Sequence, residues 1–185
     1  ERECPGNPAS VHGSGRSAAA VVESARAQIA AALRVGDDDV FFCSGGTEAN
    51  NLAIAGLGDP SLPVLLAPVE HPSVLAPAER RGIASWRVDA SGRAIVTAPE
   101  RPVGLIALVH AQSEVGTVQP VVAAAELAAN IRVPLHVDAA QSLGRLPLDD
   151  LRLATSIAFS THKAGGLRGG GVLVVRRGGK GLRPL

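Results

Sequence analysis

The 185-residue sequence has no methionine and no tyrosine, one tryptophan, three phenylalanines and two cysteines. With so few aromatic rings, any core must be built from Val, Leu, Ile and Ala. Cys4 and Cys43 supply neither a disulfide framework nor a zinc-type spacing, and fit a reducing, cytoplasmic setting. No apolar run approaches the ~18 residues of a membrane span. A net charge of +1 without a basic stripe leaves nucleic acid no electrostatic footprint. The opening "ERECPGNP" lacks the apolar region of a signal peptide and a starting Met, so the chain is expected to begin inside a longer product.

Lysine is scarce as well. The basic residues are nearly all arginine, and the two lysines are Lys163 in "SIAFSTHKAGG" and Lys180 in the basic, Gly-rich "RRGGKGLRPL". Arginine supplies charge and binds anions, but it does not lose its proton and attack a carbonyl carbon, as lysine can. Lys163 follows an apolar run and precedes a glycine-rich turn. It is the lysine expected to do chemistry.

Hydrophobic content of 46% in a chain of this length predicts one globular domain with a full core. Residues 16–34 place Val21, Val22, Ala25, Ile29, Ala32 and Leu33 at helical spacing. Short apolar runs then follow: "VFFCS", "VLLAP", "SWRVDA", "GLIALVHA", "PLHVDAA", "SIAFS" and "GVLVVRR". Most are continuous, as in strands covered on both faces. Helical patterns such as "TEANNLAIAGL" and "VVAAAELAANI" lie between them. Strands alternating with helices predict an α/β fold with a mainly parallel sheet sandwiched by helices.

Four stretches fall where such a fold places function, at the carboxyl ends of strands. In "VFFCSGGTEANN", Gly45 and Gly46 allow close backbone approach, and the following helix start attracts an anion. Thr47 either adds a hydroxyl donor there or is the helix N-cap. In "PLHVDAAQS", Asp138 either holds a protonated ring nitrogen or caps the next turn. His136 and Asp138 share a strand face as a possible metal pair, but nothing brings three ligands together, so no metal is expected. His71 in "APVEHPSVL" precedes a Pro-initiated helix and is either solvated or functional. In the fourth stretch, "SIAFSTHKAGG", Ser160, His162 and Lys163 lie at a strand end. An anion cradle, an acid for a ring nitrogen, a stacking histidine and an isolated lysine are together the parts that pyridoxal phosphate requires.

The stretches "GNPASVHGSGR", "SGGTEANNLAI", "EHPSVL", "EVGTVQP", "HVDAAQSLGRLPLD" and "FSTHKAGGLRGGGVLVV" occur in the order in which similar motifs occur in the cysteine desulfurases of the class V aminotransferase superfamily. By this resemblance Lys163 forms the imine with pyridoxal 5'-phosphate and later moves protons. His71 stacks on the cofactor ring and assists acid–base steps. Asp138 partners the pyridine nitrogen, and Gln141 lies near the phenolic oxygen. Gly46, Thr47, Ser160 and His162 match phosphate-site positions. Ser113 stands where the family usually has an Asn that touches cofactor and substrate.

The resemblance further implies the large domain of a fold-type I enzyme, homodimeric, acting on L-cysteine. The products would be L-alanine and a persulfide passed to a sulfur-acceptor protein. Residues 1–177 would form the large domain, partial at its N-terminus. Residues 178–185 would be a linker to a C-terminal small domain, which in the family carries the persulfide cysteine and a substrate-binding arginine. Neither Cys43 nor Cys4 is assigned the sulfur-accepting role. Alternatives are another class V enzyme, such as a selenocysteine lyase or an aminotransferase, and a truncated non-catalytic paralogue.

Overall fold

The computed structural model describes residues 6–176. Its elements are α1 (Gly13–Leu33), β1 (Val40–Cys43), α2 (Gly46–Gly56), β2 (Val64–Leu66), α3 (Pro72–Arg81), β3 (Ile83–Ser85), β4 (Leu105–Val109), α4 (Val121–Ile131), β5 (Leu135–Asp138), β6 (Ser156–Ser160) and β7 (Gly171–Val175). They form one seven-stranded sheet in the order β1-β7-β6-β5-β4-β2-β3. Only β7 runs against the rest, pairing antiparallel with both β1 and β6. The predicted mainly parallel α/β sheet is the one observed.

The continuous apolar runs divide by parity. Leu65, Ile106, Leu108, Val137, Ile157, Val172 and Val174 point to the face covered by α1 and α4, where they meet Leu33, Val121 and Ala124. Val64, Leu66, Leu105, Ala107, Ala158, Leu173 and Val175 point to the other face, against Ala53 and Ile54 of α2 and Val74 and Ala78 of α3. Every residue of β4, β5, β6 and β7 is buried, as strands with helices on both sides require. The edge strand β1 alternates instead and leaves Phe42 41% exposed; its ring lies under the Arg26 guanidinium.

Three sequence expectations shift. The first helix starts at Gly13, ahead of position 16, because the His12 ring accepts the Gly15 N–H and caps it; the helix ends where Arg34 turns left-handed. "SWRVDA" is not a strand. The strand, Ile83–Ser85, takes in only its first residue, and the rest of the run contributes a bridge between Val88 and Ala94. Trp86 is buried there and donates its indole N–H to the Thr97 carbonyl. The α2 helix begins at Gly46 after an N-cap at Gly45 that has no side-chain bond, so Thr47 lies inside the first turn and is not the cap.

Because β1 and β6 both oppose β7, they run the same way as β2, β4 and β5. With β3, which pairs parallel with β2, the carboxyl ends of six strands therefore open on one edge of the sheet, the place where this class of fold binds ligands.

Candidate functional site

At that edge lies a cavity of about 550 Å³. Its wall contains every site residue expected from the sequence: Gly46, Thr47, His71, Ser113, Asp138, Gln141, Ser160, His162 and Lys163. A second cavity, of about 730 Å³, lies at the β3 edge around Trp86 and includes none of them.

The corner expected to take an anion comes from β1, α2 and β6. The Gly46 N–H donates to Ser160 Oγ at 3.0 Å, joining the first turn of α2 to the end of β6 across 114 residues of sequence. A Cβ at Gly46 would meet that Oγ at 2.5 Å, so the close approach needs the glycine. The remaining first-turn N–H groups have no acceptor within the helix, and the exposed Thr47 stands among them. Glu48 folds back to accept the Ser44 N–H at 2.6 Å and its hydroxyl at 2.7 Å, which lowers the Glu48 pKa.

Lys163 and His162 sit in a short 3-10 turn, Thr161–Ala164, that follows β6 and ends on left-handed Gly165. Both side chains are exposed at the mouth of the cavity. Arg145, which sequence reasoning did not single out, braces this turn. Its Nη2 donates to the Lys163 carbonyl at 2.7 Å, while its Nη1 donates to the carbonyl (3.0 Å) and Oε1 (3.3 Å) of Gln141. Arg145→Met is expected to weaken pyridoxal phosphate binding roughly tenfold, about 1.4 kcal/mol. Thermal stability should change little, because the arginine is exposed. Titration of the visible spectrum beside a thermal melt checks this.

The floor is a buried polar network on the α2/α3 face of the sheet. Asp138, 4% exposed, accepts the Ala140 N–H on Oδ1 at 2.9 Å and the Asn50 amide on Oδ2 at 2.8 Å. Burial raises its pKa, while those donors and the nearby His71 pull the other way. A buried carboxylate gains most by meeting a cation, and a protonated ring nitrogen is such a partner. The capping contact to Ala140 is present too, so both readings of Asp138 from the sequence describe contacts it can make. His71 is the N-cap of α3; its Nδ1 accepts the Ser73 N–H at 3.1 Å and lies 2.8 Å from Ser73 Oγ.

His136 is not half of a metal pair. It is fully buried, with Nδ1 2.8 Å from Ser156 Oγ and Nε2 2.9 Å from Asn50 Oδ1, and burial drives its pKa down to about 3. No group of three metal-ligating side chains occurs among the described residues. Glu70 completes the floor: Oε1 accepts the Val109 N–H at 2.8 Å, Oε2 is buried without a protein partner, and burial pushes the pKa up to about 8.

Asn50, Ser73, Glu70 and Arg145 were missed in the sequence. Asn50 had a signal, since it interrupts the buried stripe Gly46, Ala49, Ala53, Ile54 of α2 with an amide. Cys43 is half-buried and its thiol pKa is raised, first by burial and then by Glu48, which suits a structural residue. Cys4 and Lys180 lie outside the described residues.

Residues 2–185 match the model of the family described as aminotransferase class-V. The chain belongs to that family. It is 34% identical to "Cysteine desulfurase IscS" of Dictyoglomus turgidum, over 97% of this chain and 49% of the relative. It is 35% identical to "Putative cysteine desulfurase IscS 1" of Bacillus subtilis, over 97% and 51%. Among solved structures, "SspA in complex with cysteine" superposes with a TM-score of 0.90 at 30% identity, over 100% of this chain and 58% of that one. A NifS-like protein does so with a TM-score of 0.86 at 29% identity, over 100% and 55%. This class-V chain thus spans about half the length of the curated relatives it matches. No helix among the described residues is long and apolar enough to cross a membrane.

The donor set fits the cofactor that the family implies. A helix start with free N–H groups suits a phosphate, a buried carboxylate suits a ring nitrogen, and the cavity wall holds one lysine.

Proposed function

We propose that this chain is the cofactor-binding part of a pyridoxal-phosphate-dependent cysteine desulfurase. The whole enzyme would take sulfur from L-cysteine, release L-alanine and hand the sulfur, as a persulfide, to an acceptor protein. The observation that carries the reading is the convergence of Lys163, His71, Asp138 and the α2 start on one cavity. The similarity to proteins named cysteine desulfurase supports the choice of substrate.

Pyridoxal phosphate, when bound, supplies an electron sink for chemistry at the α-carbon of an amino acid. The residues divide the remaining work. The α2 start, Thr47, Ser160 and His162 would hold the phosphate, and Asp138 would keep a ring nitrogen protonated. Lys163 would anchor the cofactor and move protons. His71 would lie against the bound group and donate a hydrogen bond to it or to the substrate. Gln141, braced by Arg145, would serve a polar oxygen of the cofactor. Ser113 at the mouth is shorter than the family's usual Asn and leaves more room beside the substrate. The family arrangement makes a homodimer, and a soluble cytoplasmic setting suits the composition.

The test is a visible absorbance spectrum with added pyridoxal phosphate, for the parent and for Lys163→Ala. A visible band in the parent that is lost in a variant of equal thermal stability supports the reading. A folded parent with no band would favour a non-catalytic paralogue. Alanine release from L-cysteine by the whole polypeptide then tests the substrate.

A further inference from the structure

The side chains beneath the cavity form one continuous chain of hydrogen bonds: Ser156, His136, Asn50, Ser73, His71. Each end imposes a direction on it.

At the His71 end the constraint is a backbone amide. The Ser73 N–H can only donate, and it points at His71 Nδ1 from 3.1 Å. A proton on Nδ1 would set two hydrogens against each other, so Nδ1 keeps its lone pair and a neutral ring carries its proton on Nε2. The Ser73 hydroxyl, 2.8 Å from the same nitrogen, must turn its hydrogen toward it. That leaves the Ser73 oxygen to accept the Asn50 amide at 2.8 Å.

At the other end the constraint is burial. His136 is fully buried and neutral, so it has a single N–H to give. With Asp138 ionised, Asp138 Oδ2 accepts only, and the Asn50 NH₂ spends one hydrogen there and the other on Ser73. Asn50 Oδ1 is thereby the acceptor facing His136 Nε2, at 2.9 Å. His136 donates from Nε2, and its Nδ1 accepts from Ser156. Both ends demand the same orientation of Asn50, and every donor in the chain meets an acceptor.

We infer that Asn50 is a positioning residue that orders the site's protons: its amide holds Asp138 and Ser73, and its oxygen fixes His136 as the Nε2–H tautomer, the same tautomer that the Ser73 N–H imposes on His71. The consequence is chemical. A neutral His71 with Nδ1 committed to the α3 cap presents Nε2–H to the cavity, so it meets the cofactor and substrate as a hydrogen-bond donor. The inference rests on the reading of His71 and Asp138 as site residues, but its test does not require cofactor.

The experiment is a long-range ¹H–¹⁵N correlation spectrum of the histidine-labelled, cofactor-free chain, at a pH where the rings are neutral. His71 and His136 are assigned by loss of signal in His71→Gln and His136→Gln. Both are expected as pure Nε2–H tautomers, and His12, which caps α1 through Nδ1 in the same way, serves as an internal reference. Ser73→Ala keeps the backbone N–H that commits Nδ1, so His71 should stay an Nε2–H tautomer, while Asn50→Ala should turn His136 into a tautomer mixture. An Nδ1–H signature for either ring in the parent, or a His136 signal unmoved by Asn50→Ala, would overturn the inference. If Asn50→Ala does not fold, Asn50→Ser, too short to reach His136, takes its place. A locked tautomer in a chain that gives no visible band with cofactor would sink the desulfurase reading and leave this inference standing.

Discussion

Glu70→Gln should gain stability over the parent as pH rises, because it removes a buried acid that resists ionisation. The folded Glu70 pKa, about 8, lies above its ordinary 4.5. Between those values the unfolded chain has released the proton and the folded chain still binds it, so the parent loses stability as pH climbs. At ~1.36 kcal/mol per pH unit the full loss is on the order of 4 kcal/mol by pH 8. Asp138, also raised by burial, adds a loss of the same sign. His136 acts on the acid side. Its folded pKa of about 3 lies below the ordinary 6.5, so stability falls as pH drops through that window, because the unfolded ring takes a proton that the folded ring refuses. Between about 4.5 and 6.5 the Glu70 and His136 contributions oppose each other. Urea unfolding of the cofactor-free parent and Glu70→Gln at a series of pH values reads the difference directly. Parallel curves from pH 5 to 8 would mean Glu70 ionises normally in the fold.

Gly171→Ala should damage stability and cofactor affinity together. Gly171 opens β7 between Cys43 of β1 and Ser160 of β6. A Cβ there would lie 2.3 to 2.5 Å from the backbone of Gly45, the N-cap of α2. Backbone cannot swing aside as a side-chain tip can, so the turn that starts α2 must move. Overpacking of this kind costs about 1–3 kcal/mol. Displaced N–H groups should weaken pyridoxal phosphate binding by at least roughly tenfold. Gly13→Ala is the control, since a Cβ on Gly13 at the start of α1 would meet only the tip of Arg16, at 4.0 Å, and alanine favours a helix. Urea unfolding and spectral titration on the three proteins suffice. Unchanged affinity in a destabilised Gly171→Ala would show that the turn absorbs the strain without moving.

The fold was legible because continuous Val, Leu and Ile runs separated by helical periods have few other solutions. The cavity wall was legible because strand ends carry their own punctuation: Gly45-Gly46, His71-Pro72, Asp138 and Lys163 each follow an apolar run. What lay beneath was less so. His136 and Ser156 face each other in register on β5 and β6, but strand neighbours cannot be paired before the sheet order is known. Ser73 reads as an ordinary first-turn serine until α3 is laid beside α2. Arg145 is one arginine among many, and only the return of the chain after β6 brings the Lys163 carbonyl to it. Thr47 was misjudged as a possible cap because a glycine with no side-chain bond had already taken that position.

The lone antiparallel strand also sets an order of events in folding. β1 precedes the other described strands in sequence, yet among the described residues its one partner in the sheet is β7, which follows all the others. Until that segment is made, β1 lacks this partner, and the Gly45 turn lacks the Gly171 backbone that packs against it. Long-range closures of this kind are slow. The corner between β1, α2 and β6 is therefore completed late, by a strand whose Gly171 lies 128 residues after its partner Cys43.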